Sequence, residues 1–117
     1  MSQLTNAGGY PLPGPTRRAL RWDGSFLYKA RAAAPDGEDA KEGLMTADDV
    51  RRLRAMAGDR SFDIAVGGAP RGDDVDAERA HIRAIAQAGA TWWVEWIPPG
   101  DRDTMRRAVD RGPLRAA

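Results

Sequence analysis

Residues 91–99 read Thr-Trp-Trp-Val-Glu-Trp-Ile-Pro-Pro, with three tryptophans and one carboxylate in a single short run. Strand alternation puts Trp92, Val94 and Trp96 on one face, and Trp93, Glu95 and Ile97 on the other. Both faces are mainly apolar. The run therefore predicts a strand covered on both sides, as in parallel α/β sheets. A carboxylate there is costly unless it is paired or functional, so Glu95 needs a reason for its place.

The rest of the chain alternates in kind. Residues up to Gly14 are rich in Gly and Pro and predict a flexible lead-in with no regular element. Pro15 suits the first turn of a helix reaching Trp22, closed by Gly24. Ser25 to Tyr28 is a short strand candidate, and 30–43 form a loop. Thr46 suits an N-cap, with Asp49 at the third helical position and Met45 and Val50 spaced as a hydrophobic staple. Val50, Leu53, Met56 and Ala57 then line one helical face up to Gly58. Phe62 to Val66 is a second strand, stopped by Gly67 and Gly68. Asp73 or Asp74 caps a helix to Ala88, with Val75, Ile82, Ile85 and Ala86 as its apolar face. After the Trp-rich strand, Asp101 opens a last helix with Met105, Ala108 and Val109 inward, ended by Gly112 and Pro113. Such alternation predicts parallel strands joined by right-handed crossovers.

Composition narrows the function classes. With 117 residues and a net charge of +1, the chain is one domain with no electrostatic pull towards nucleic acid or membranes. Cysteine is absent and there is one histidine, which argues against disulfides, thiolate sites and a zinc cage. No apolar run approaches the roughly 18 residues of a spanning helix, and the N-terminus lacks a signal-peptide pattern, so a cytoplasmic protein is expected. Sixteen arginines against two lysines suggest a bacterial G+C-rich coding bias.

In order and spacing, several segments together resemble a family. These are Ala7-Gly8-Gly9, Arg21-Trp22-Asp23-Gly24, Phe62 to Gly68, Ala88-Gly89-Ala90-Thr91-Trp92-Trp93-Val94-Glu95, and Arg111-Gly112-Pro113. The chain is similar to the C-terminal portion of luciferase-like flavin-dependent oxidoreductases. The resemblance implies an α/β fold: the last part, about three βα units, of a (β/α)8 barrel with parallel strands and outer helices. It also implies FMN or a deazaflavin as cofactor, used for hydride transfer or monooxygenation. A whole barrel takes about 250 residues. The expectation is therefore a partial barrel domain over 1–117, with 1–14 as lead-in and only Ser2 to Asn6 ahead of the first turn. Such a piece would bind no cofactor, or only its phosphate end, and would be inactive alone. Its partners would be a missing barrel half or further copies of itself. A non-enzymatic α/β interaction or assembly module on the same scaffold is the alternative, and a small phosphate-binding domain is a weaker third.

The resemblance also places the candidate cofactor contacts. Gly8 and Gly9 match a family turn where backbone N–H groups meet phosphate at a helix start. Lys29 stands near a phosphate-contacting lysine of deazaflavin-dependent members; a surface lysine is the plain alternative. Gly67 and Gly68 would let a ligand approach or merely turn the chain, and Arg71 would add charge. If the Trp92 and Trp96 face packs on the outer helices, Glu95 faces the barrel interior, bonding flavin or holding an arginine. Trp93 reads as packing. His81 reads as a structural residue of an outer helix, and Arg71-Gly72-Asp73 as a chance adhesion tripeptide. Arg102, Arg106 and Arg107 form a solvated basic face. No catalytic residue or metal ligand is identified.

Overall fold

The computed structural model describes residues 4–5, 10–11, 13–26 and 44–115. Gly8, Gly9, Lys29 and the predicted loop at 30–43 lie outside the described residues. Among the described residues four strands, β1 (Leu4–Thr5), β2 (Gly24–Phe26), β3 (Asp63–Ala69) and β4 (Trp92–Glu95), alternate with four helices. The helices are α1 (Pro13–Ala19), α2 (Ala47–Ala57), α3 (Val75–Ala88) and α4 (Arg102–Asp110). All strand pairs are parallel and the sheet order is β1-β2-β3-β4, the same as the chain order.

Two expectations for the N-terminal region are corrected. Leu4 and Thr5 pair with Gly24 and Ser25, so the lead-in does contain a strand, because β2 supplies the backbone partners that local sequence could not. Helix α1 starts at Pro13 and ends at Ala19, short of the predicted Trp22.

Helix α2 starts where its cap chemistry dictates. The Thr46 N–H donates to Asp49 Oδ2 at 2.9 Å, and the Asp49 N–H donates to Thr46 Oγ1 at 3.2 Å. This reciprocal pair satisfies two N–H groups that the first helical turn cannot. Met45 and Val50, the predicted staple, both sit in the core. There they join Leu53, Ala57, Phe62, Ile64, Val66, Ile85 and Ala88, so α2 and α3 cover one face of β3. Met56 is instead 54% exposed, because it lies off the Val50–Leu53–Ala57 stripe. Similarly, Val75 and Ala86 are exposed, and Glu78 and Ala88 are the buried members of α3 alongside Ile82 and Ile85. Across the helix ends, Arg54 of α2 donates to the Gly89 carbonyl through Nη2 at 2.6 Å and Nε at 3.2 Å.

Strand β3 does not stop at Gly67. It continues to Ala69, with a bulge between Gly67 and Ala69 opposite Val94 and Glu95. The reason is steric. A Cβ on Gly67, at φ +137°, would lie 2.0 Å from the Val94 carbonyl oxygen. Only glycine lets β4 come this close, so the residue read as a stop in fact permits the pairing.

Candidate functional site

Register decides which side of the sheet each candidate occupies. Ile64 and Val66 belong to the helix-covered core, and Val66 aligns with Trp93. Trp93 packs on that core and meets the His81 ring edge-on, with centroids 5.4 Å apart. By alternation Glu95 shares its side, and Glu95 lines a small space with Glu78 and Ile82 of α3, Trp93 and Leu114.

This reverses the expected orientation. The face of β4 carrying Trp93 and Glu95 meets the helices, while Trp92 (59% exposed) and Val94 (39%) face away from them. The prediction of a strand covered on both sides is corrected as well, since the Trp92–Val94 face is open to solvent. The physical reason is compositional: with tryptophans on both faces, sequence could not say which would find a helix. Trp96 leaves the pattern, because the strand ends at Glu95 and Trp96 turns into a cleft beside α4.

Glu95 is the centre of a charge cluster at the C-terminal end of the sheet. Arg71 Nη2 donates to Glu95 Oε2 at 2.9 Å and also to the Gly112 carbonyl at 2.8 Å. Arg71 Nε lies 2.9 Å from Oε1 as a close ion contact, but its N–H is not aimed at that oxygen. Arg111 Nη2 adds a second donor, to Oε1 at 3.1 Å. The Arg71 and Glu95 side chains are 11% and 20% exposed, so little water screens the pair. One carboxylate thus joins the segment after β3, the end of β4 and the end of α4. Beside it, a cleft of about 360 Å³ is walled by Trp96, Ile97, Pro98 and Met105, with Arg71, Arg107 and Arg111 at its rim. Arg107 donates only to Thr104 Oγ1, at 3.2 Å, among its described contacts.

These positions bear directly on cofactor binding. Of the predicted contacts within the described residues, Arg71 and Glu95 come together and occupy each other. Gly67 is used up by the approach of Val94, and Gly68 is an internal residue of β3. Among the described residues they do not assemble an anion cradle. Among the described residues no group of three or more His, Asp or Glu side chains is placed to hold a metal, and no helix is long and apolar enough to cross a membrane.

The Arg71–Glu95 contact had a sequence signal, the cost of a lone carboxylate in an apolar strand. Arg111 had none, because it appeared only as the residue before the closing Gly-Pro. Comparison adds no identity: no family model, curated protein or solved structure matches the chain.

Proposed function

We propose that this chain is the C-terminal arc of a luciferase-like barrel oxidoreductase of the FMN or deazaflavin type, silent in catalysis until other strands complete it. One observation carries the reading: the four described strands are parallel and lie in chain order, with α2 and α3 packed on one face of β3 and with Trp92 and Val94 of β4 exposed on the opposite face. Sequential parallel order with right-handed crossovers keeps the helices on one side, which is how a barrel wall is built. A doubly wound sheet would reverse its order midway and cover both faces. The pairing of Arg71 with Glu95 supports silence of the isolated arc, since it leaves neither group free for a cofactor.

A second reading has its own support. The same committed charges and the exposed Trp92 suit an assembly module that keeps the scaffold without its chemistry. Absorbance titration with FMN and with a deazaflavin separates the two. The chain alone should be colourless and leave both spectra as in free solution. Co-expression with the first half of a luciferase-like oxidoreductase barrel should yield a yellow complex. Failure of that half to bind, or binding without flavin, would leave the assembly reading standing. Stoichiometric flavin on the chain alone would overturn the claim that the arc is silent.

A further inference from the structure

We infer that, alone in solution, two copies of this chain close on each other, each β4 pairing in parallel with β1 of the other. The inference rests on the barrel-arc reading of the sheet and is independent of flavin. Among the described residues β1 and β4 each pair on one side only, so both edges of the sheet are open. An open edge is a row of unpaired N–H and C=O groups that tends to recruit another strand.

The arc is complementary to itself. The four described strands are half of the eight in a closed barrel. A two-fold axis along the strands brings β4 of each copy beside β1 of the other, keeps every pairing parallel, and makes the two junctions identical. Closure of this kind leaves no edge and is the symmetry most dimers adopt.

Three surface features agree with it. Trp92 and Val94 face the side that closure would enclose, at 59% and 39% exposure. An apolar groove of about 180 Å³ lies between Ile82, Ile85 and Ala86 of α3 and Trp92–Trp93 of β4. The chain carries 18 basic and 17 acidic residues, so two copies meet without net repulsion. Each aromatic side chain can bury roughly 150–250 Å². Trp92 is 59% exposed, so its two copies supply only a minor share of the roughly 1,200–2,000 Å² of a stable interface, and the strand junctions supply the rest.

The absence of cysteine from the natural sequence allows a direct test. Leu4 aligns with Gly24, and Gly24 with Asp63, while Val94 aligns with Gly67, so the two positions have the same register parity and stand four residues apart along the sheet, the offset that half of a barrel shear of 8 brings level. The wild-type chain should sediment as a dimer. Leu4→Cys and Val94→Cys proteins should form disulfide-linked dimers when mixed, and neither should link to itself. Trp92→Asp should weaken the dimer by roughly tenfold or more, because closure would bury the new charge. A monomer at all concentrations would overturn the inference. So would self-linking of Val94→Cys, which would mean antiparallel β4–β4 pairing, and so would a dimer in which the mixed proteins do not link. Flavin titration of the same samples is read separately: a monomer that binds flavin only with a complementing half removes the second copy but keeps the proposed function.

Discussion

Gly67 and Glu95 hold the C-terminal end of the sheet together by opposite means, one by lacking a side chain and one by the charge it carries. Adding a single methyl at Gly67 puts a carbon 2.0 Å from the Val94 carbonyl oxygen and imposes φ +137° on a residue with a Cβ. Neither strand can yield without breaking the pairing, so Gly67→Ala should cost about 3 kcal/mol or more, at the upper end of point-mutant effects. Urea denaturation measures it, and a loss under about 1 kcal/mol would mean the bulge absorbs the methyl. Glu95→Gln tests the other element of the design. It keeps the shape but leaves Arg71 and Arg111 without their carboxylate, and Arg71 is only 11% exposed. Pairs at the surface contribute about 0–1 kcal/mol, and breaking a fully buried one costs about 3–5 kcal/mol. This half-buried cluster should fall between, at about 1–3 kcal/mol. Trypsin should cut at Arg106 and Arg107 faster in the variant, because Arg71 and Arg111 no longer fix the end of α4. Unchanged cleavage would show that the helix is held by something else.

At the scale of elements, the positions and types of the later units were legible, and the burial of some was not. Thr46, Asp74 and Asp101 all cap the helices they were expected to start, because capping is local chemistry between neighbours in sequence. Helix α4 shows the limit of such reasoning. Met105, Ala108 and Val109 have helical spacing, yet none of the nine residues of α4 is buried and Val109 is 63% exposed. An apolar stripe states what a helix can cover; only the tertiary structure says whether a surface lies opposite. Strand β1 was missed for the complementary reason, since two residues become a strand only when a distant one offers its edge. With so little packing, α4 depends on its cap. The Thr104 N–H, and then its hydroxyl, hold the Asp101 carboxyl below the ordinary aspartate value of 3.8. The folded helix therefore favours the charged form, and the cap's contribution is present above 3.8 and fades as pH falls through the lower folded value. Amide hydrogen exchange in α4 should speed up on acidification through that range relative to α2. Asp101→Asn caps without a charge, so it should abolish Asp101's share of that change; an identical pH response in the variant would assign the effect to another group.

At the scale of the whole molecule, the site and the fold were legible to different degrees. Parallel alternation follows from hydrophobic periodicity, so the order of strands from Ser25 onward could be read directly. Which face of β4 meets helices could not, because Trp92 and Trp93 carry equal apolar weight on opposite sides. The outcome leaves Trp92 and Val94 in water beside a strand edge that has no partner among the described residues. That arrangement makes stability a collective property. If association covers this face, the folded dimer is favoured over unfolded chains by mass action, and the apparent melting temperature must rise with protein concentration. Each tenfold increase in concentration should add about 1.4 kcal/mol per mole of dimer at 25 °C. Melting the wild-type chain across a hundredfold range should show this rise, and the Trp92→Asp protein should melt lower at each concentration. A melting temperature independent of concentration, with one sharp transition, would mean that the single arc is stable with Trp92 exposed and that the core between α2, α3 and β3 suffices to fold it.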